Sequence, residues 1–418
     1  MVAGAYADPV AVTAQPKVAA PDASGRSRNG RLEFLDALRG IAAMMVVATH
    51  FAERLWPEAL RFTTETFRVG ECGVMIFFLC SGFIIPASLE RRGSMRQFWI
   101  GRAFRLLPAY LAAVGAALAL HMIHRYPLAP SLSAHHLEGL EGLAANATMA
   151  QHLLGKQLIL GQSWTLGYEL VFYGVVSVLF VAGLHRRSVA ISFALLAGAL
   201  LVGNSLAPLA VTSPTGSSRA VVIAVTAVAV LVAVTLARST GGRILAGVLT
   251  ALAVPLILNR PEPIWFALLV LGTMFVGTVL HRSTSGQIAP WIGAVVFGFA
   301  LVMIVVVEKV REVQFVEPTT GAITNWRAES WTFVVAYLVF GAALLLRRYR
   351  FPRVLLWLGA ISYSLYLWHA VVLRAISPTA YRPLTFSVWL AATIVVSWLS
   401  YRYIEQPAIR AGRKVAAR

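Results

Sequence analysis

The chain has 418 residues, of which 58% are hydrophobic and only 13% are charged. Soluble domains carry about 25% charged residues, so a chain with half that fraction cannot cover a soluble fold of this length with polar surface. The formal net charge of +18 would by itself suit a nucleic-acid partner. Its distribution along the chain therefore has to be considered before its sum.

Residues 1–30 are rich in Ala, Pro, Ser and Asp and contain no apolar run, which predicts a disordered cytoplasmic tail. Apolar stretches of about 16 to 22 residues, long enough to cross a bilayer, then follow one another almost to the C terminus. They predict twelve membrane-spanning helices, at 37–56, 70–90, 104–123, 165–184, 189–208, 219–237, 243–258, 264–281, 288–308, 330–347, 354–375 and 385–404. The stretch at 243–258 is short and contains Pro255, so ten or eleven spans are an alternative.

The predicted fold class is an all-α bundle of about 10 to 12 transmembrane helices. The transmembrane domain is expected at 31–407, followed by a basic cytoplasmic tail at 408–418. A cytoplasmic N terminus puts most Lys and Arg residues on the cytoplasmic side, as the positive-inside rule requires, and leaves both termini there. The positive charge thus follows from topology, and no nucleic-acid partner is inferred. The oligomeric state is left open.

The first predicted span contains two ionisable residues that are costly in a membrane and therefore candidates for function, Arg39 and His50. They are eleven positions apart, close to three helical turns, so they share a helix face with His50 about 16 Å farther along the axis. A structural role is the alternative: Arg39 could reach lipid headgroups while His50 bonds a neighbouring helix.

Arg102 and Arg105 lie in the connection after the second span. Three positions apart, they would share one face of a helix lying at the membrane interface. A guanidinium donates two parallel hydrogen bonds to an oxyanion, so the pair suits a ligand that carries phosphate. A simple positive-inside anchor is the alternative.

Two later spans carry further polar clusters. Glu169 has Tyr173 four residues on, and Ser362, Tyr366 and His369 follow one stripe at offsets of four and three. Either cluster could merely join helices. The span assignments put His50, Glu169 and His369 in the outer half of the membrane and the arginines at its inner edge. This predicts two separated sites, which a donor with a phosphate-rich head and a long thin arm, such as acyl-coenzyme A, could connect.

Six segments together resemble the membrane-bound acyltransferase-3 family, over about residues 31 to 407. They are Arg39 with His50; Phe77 to Phe83 with Pro86; Phe98 with Arg102, Arg105 and Pro108; Trp164 to Tyr173; Ser362 to His369; and Tyr403 to Pro407. Members of this family O-acylate surface polysaccharides, lipopolysaccharide O-antigen, peptidoglycan and other acceptors. The resemblance implies an enzyme of the bacterial inner membrane that moves an acyl group, expected to be acetyl, from cytoplasmic acyl-coenzyme A to a hydroxyl of an extracytoplasmic glycan.

The resemblance also implies roles for individual residues. His50 would be a general base or a transient acyl carrier, with Glu169 and His369 as further catalytic residues. Arg39, Arg102 and Arg105 would bind the acyl donor. Acceptor-site or structural positions would be Ser81, Trp164, Tyr173, Ser362 and Tyr366. No bound cofactor and no metal are expected, because acyl-coenzyme A is a substrate.

The competing hypothesis is a membrane transporter or flippase for a polysaccharide precursor, since charges inside a membrane also mark transport paths. Paired Gly- or Pro-broken helices in matching halves, which many transporters have, are not evident in the sequence.

Overall fold

A computed structural model describes residues 32–123, 139–151, 154–203, 223, 226–231, 233–235, 240–259, 262–311 and 325–418. These residues form helices and turns, with no β-strand among them. The helices are α1 (Glu33–Leu55), α2 (Pro57–Glu65), α3 (Val69–Arg92), α4 (Met95–Met122), α5 (Gly139–Ala147), α6 (Trp164–Val181), α7 (Ser188–Val202), α8 (Thr240–Leu258), α9 (Ile264–Thr284), α10 (Pro290–Val310), α11 (Trp326–Leu345), α12 (Arg353–Ala375), α13 (Arg382–Ser400) and α14 (Gln406–Ala417).

The predicted all-α polytopic fold is confirmed. In the described part of the chain, nine helices are long and apolar enough to cross a membrane: α1, α3, α4, α6, α9, α10, α11, α12 and α13. The helix over the predicted span 189–208, α7, has 15 residues. It is about 22 Å long, shorter than the roughly 30 Å hydrocarbon core. The predicted span 219–237 lies partly outside the described residues.

Two predicted segments differ from the structure. Arg102 and Arg105 were expected on a separate interfacial helix, but they belong to α4, which runs without a break into the third span. The helix begins at Met95 because the Ser94 hydroxyl caps its N terminus, accepting a hydrogen bond from the Gln97 amide at 3.4 Å. The basic segment predicted at 408–418 lies almost entirely in α14, which extends from Gln406 to Ala417. The predicted tail at 1–30 lies outside the described residues.

The position of α14 follows from its connection and its packing. A single π-helical turn, Tyr401–Glu405, joins it to α13, and the helix then packs along α4. At the contact, a Cβ atom on Gly412 would lie 2.5 Å from Cβ of Phe104. Only glycine allows the two helices to approach this closely.

The crossing of α1 with α12 positions the histidines. A Cβ atom on Gly40 would lie 2.9 Å from the amide nitrogen of Gly359, and one on Gly359 would lie 2.0 Å from the carbonyl oxygen of Asp36. Glycine at both positions lets the two backbones touch. The helices run in parallel from this crossing, so the residues ten positions later, His50 and His369, reach the same level about 15 Å along the axes.

Candidate active site

His50 and His369 form a hydrogen-bonded pair. Nδ1 of His50 lies 3.0 Å from Nε2 of His369, and Nδ1 of His369 lies 3.2 Å from the carbonyl oxygen of Leu365. A carbonyl oxygen only accepts, so Nδ1 of His369 carries the hydrogen and its Nε2 accepts from Nδ1–H of His50. This network leaves the lone pair of the His50 Nε2 atom available to react.

The ring geometry agrees with a hydrogen bond between the two imidazoles. The rings are parallel within 7° and their centroids are 5.1 Å apart. With the two nitrogens 3.0 Å apart, the centroids are this far apart only if the nitrogen–nitrogen line lies close to both ring planes. A hydrogen bond between the two rings requires that alignment. His369 is 1% exposed, whereas His50 is exposed. The pair thus has a buried member that orients and an accessible member that can react.

His50 lines two cavities, of about 310 Å³ and about 550 Å³. We call the smaller one the histidine cavity and the larger one, which His369 also lines, the side cavity. They share Glu53, Leu60, Gly161 and Gln162 as well as His50. A small polar group that enters either cavity can therefore reach His50.

Charged residues that no sequence motif indicated also line the histidine cavity. Glu53 accepts a hydrogen bond from the Thr63 hydroxyl at 2.5 Å. Arg68 also lines this cavity and donates to the carboxylates of Glu71 and Glu329. Glu53 could have been found from its spacing, because it follows His50 by three residues on the same helix. The Arg68 network joins separate helices, and no local pattern indicates it.

A third cavity, of about 510 Å³, lies among α1, α3, α4, α6, α12 and α14. We call it the arginine cavity after the five arginines that line it: Arg39, Arg92, Arg102, Arg105 and Arg413. The structure thus brings together the three arginines that were predicted to bind the donor. It adds Arg92 and Arg413, for which the sequence predicted only the role of positive charges on the cytoplasmic side.

Glu169 lies in the arginine cavity and not with the two histidines, where it was predicted. Its Oε1 atom accepts hydrogen bonds from the hydroxyls of Tyr173 and Ser81, the latter at 3.5 Å. The guanidinium of Arg102 lies 5.6 Å from the centroid of the Tyr173 ring. Trp164, the first residue of α6, lines the histidine cavity. Glu169 lies more than one helical turn after Trp164 along α6 and lines the arginine cavity instead.

Tyr366 separates the arginine cavity from the histidine cavity. Together with Val74 it lines both of them. Its hydroxyl donates to the carbonyl oxygen of Gln162 at 2.7 Å and lies 2.7 Å from Oγ1 of Thr165. Tyr366 and Val74 therefore form part of a wall that is common to both cavities.

Ser362 and Trp164, two of the predicted acceptor-site or structural positions, contact neighbouring protein groups. Ser362 lines the arginine cavity, and its hydroxyl donates to the carbonyl oxygen of Gly359 at 2.9 Å, within α12. The ring of Trp164 packs edge-on against Phe78 and Tyr168. Among the residues that the structure describes, no group of three or more His, Cys, Asp or Glu side chains could hold a metal ion.

Comparisons with known proteins give the family of the chain. The family model described as "Acyltransferase domain", that of the acyltransferase-3 family, matches residues 32–402. The exopolysaccharide production protein ExoZ of Rhizobium meliloti (strain 1021) is 28% identical over 367 residues, which cover 84% of this chain and 93% of ExoZ. The acyltransferase MdmB of Streptomyces mycarofaciens is 28% identical over 150 residues, 34% of this chain and 38% of MdmB. No solved structure matches. The chain belongs to the acyltransferase-3 family and is a multi-pass membrane acyltransferase.

Proposed function

We propose that the protein transfers an acyl group, acetyl in the simplest case, from cytoplasmic acyl-coenzyme A to a hydroxyl of an extracytoplasmic glycan. The observation that carries this proposal is the series of hydrogen bonds from Leu365 through His369 to His50. It leaves the Nε2 lone pair of His50 available in the histidine cavity, which shares Tyr366 and Val74 with the arginine cavity. The name of the Rhizobium meliloti relative, which refers to exopolysaccharide production, supports a polysaccharide acceptor.

The arginine cavity supports an acyl-coenzyme A donor. Arg39, Arg102 and Arg105 provide guanidinium groups that suit phosphate oxygens. The thioester end of such a donor lies on a thin flexible arm, and that arm would extend toward Tyr366. Acyl transfer needs only this end to reach the histidine cavity.

In the proposed reaction His50 acts as a general base. Its Nε2 atom removes the proton of the acceptor hydroxyl while the oxygen attacks the thioester carbonyl carbon. The carbon–sulfur bond then breaks, and the coenzyme A thiolate leaves and takes the proton back from His50. His369 stabilises the charged intermediate form of His50 by accepting its Nδ1–H. General-base catalysis contributes roughly 100- to 10,000-fold.

A transient acyl carrier is the alternative role for His50. In that reaction Nε2 attacks the thioester carbonyl carbon and coenzyme A leaves as the thiolate. The acceptor oxygen then takes the acyl group from the imidazole, and the hydroxyl proton passes to the thiolate. The available lone pair on Nε2 serves both routes. An acyl-His50 adduct trapped from a reaction without acceptor would distinguish them.

The test is coenzyme A release by the purified protein from labelled acetyl-coenzyme A in the presence of a glycan acceptor. We expect His50→Ala to abolish both release and labelling of the glycan, with unchanged protein abundance. His121→Ala changes a histidine of α4 that lines none of the three cavities, and it should retain wild-type turnover. Wild-type turnover by His50→Ala would contradict the proposal, and glycan movement without coenzyme A release would favour a transporter.

A further inference from the structure

Arg92 and Arg413 stand at the mouth of the arginine cavity. Both side chains line it and both are exposed, whereas Arg39 and Arg105 are half-buried and lie farther inside. Arg102 lines the same cavity, so the side chains of Arg92, Arg102 and Arg413 all border one space.

These arginines lack carboxylate partners. Among the described residues, no carboxylate lies within ion-pair distance of Arg92, Arg102 or Arg413. Arg92 donates instead to the carbonyl oxygen of Gln97 at 2.8 Å. Five arginines but only one carboxylate, Glu169, line the cavity among the residues that the structure describes. The excess positive charge is repulsive, and a ligand with several phosphate groups would relieve this repulsion.

The helix that carries Arg413 is held in place as a wall of this cavity. Ile409, Gly412 and Arg413 line the cavity from α14. Gly412 fits closely against α4, and the guanidinium of Arg96 donates to the carbonyl oxygen of Val415 at 3.4 Å. The C-terminal helix is therefore a fixed element of the site.

We propose that α14 forms the nucleotide-binding wall of the donor site, where Arg413 and Arg92 bind the phosphate groups of the donor's nucleotide portion. This inference rests on the proposed acyl-coenzyme A donor and adds the part of the chain that recognises its nucleotide. The exposure of Arg92 and Arg413 indicates how the donor would be oriented in the cavity. The phosphates stay at the mouth, and the thioester arm extends inward past Arg39 and Arg105.

The experiment compares two acetyl donors: acetyl-coenzyme A, and S-acetyl-N-acetylcysteamine, a thioester without phosphate groups. Loss of one charge-assisted hydrogen bond should raise the KM of Arg413→Ala for acetyl-coenzyme A about tenfold, with unchanged kcat. Its KM for the phosphate-free donor should equal that of the wild type. Arg92→Ala should behave in the same way.

Arg410→Ala is the matched control. Arg410 lies three residues earlier on α14, is exposed, and contacts Gln406 at 3.4 Å without lining the cavity. Its KM for both donors should remain at the wild-type value.

The outcomes separate this inference from the proposed function. An unchanged KM of Arg413→Ala for acetyl-coenzyme A would overturn the inference, as would an equal rise for both donors or for Arg410→Ala. A wild-type protein that releases no thiol from either donor would instead contradict the proposed function.

Discussion

At the residue scale, His369 determines which nitrogen of His50 can react. Its own Nδ1–H is committed to the carbonyl oxygen of Leu365, so its Nε2 can only accept from His50. A backbone carbonyl cannot change its protonation state, so it fixes the tautomer of both rings. In the proposed reaction, His369 would therefore orient the base without contacting the substrate.

Replacement of His369 tests this orientation. We expect His369→Ala to lower the rate of acyl transfer about tenfold, the effect of one lost hydrogen bond in the transition state, with little change in the KM for acetyl-coenzyme A. The side-chain oxygen of glutamine can accept from Nδ1–H of His50, so His369→Gln should recover part of the rate. Steady-state kinetics on purified protein measures both. Equal rates for His369→Ala and the wild type would contradict the orienting role.

The sequence predicted some residues of the site because polar side chains are costly inside apolar spans. Arg39, His50 and His369 were found in this way. The expected position of Glu169 failed because depth along a span does not reveal which neighbouring cavity a side chain faces. Arg413 was missed because its charge, near the C terminus, is equally typical of a cytoplasmic anchor.

At the element scale, the crossing of α1 and α12 sets the distance between the two histidines. The crossing depends on glycine in both helices, and the histidines follow at equal spacing. A wider crossing would separate the imidazoles by more than a hydrogen-bond length. Precision at the site therefore comes from a backbone contact about 15 Å away.

Gly359→Ala tests the crossing. The added Cβ would lie 2.0 Å from the carbonyl oxygen of Asp36, and such overpacking destabilises by about 1 to 3 kcal/mol. We expect a lower thermal unfolding temperature and a reduced rate of coenzyme A release. Gly298→Ala in α10 is the control, because nothing lies within 4 Å of its added Cβ, and it should be neutral or slightly stabilising. Equal behaviour of the two variants would contradict the role of the crossing.

Hydropathy predicted the long helices well, since a bilayer-spanning helix needs a continuous apolar stretch. It could not predict α14, whose polar and basic residues resemble a solvated tail. The helix owes its position to a close contact at Gly412, and such a contact appears only when both partner helices are known. Hydropathy also divided α4 at Arg102 and Arg105, because charged residues interrupt the apolar stretch although the helix continues through them.

At the scale of the whole molecule, two chemical environments adjoin within one bundle. The arginine cavity is bounded by the C-terminal helix, and the histidine cavity begins beyond Tyr366 and Val74. In the proposed reaction, a donor bound in the first cavity would present its acyl group to an acceptor in the second. This arrangement suits the proposed transfer between opposite sides of a membrane.

Sealed membrane vesicles of known orientation test this central claim most directly. Labelled acetyl-coenzyme A, which does not cross the bilayer, is supplied to one face, with the glycan acceptor on the other. The face that carries the C terminus is identified by protease access to a C-terminal tag. We predict labelled glycan only when the donor is on the face that carries α14, and none with His50→Ala. Equal labelling from both faces, or labelling only from the opposite face, would contradict transfer from the arginine cavity to His50.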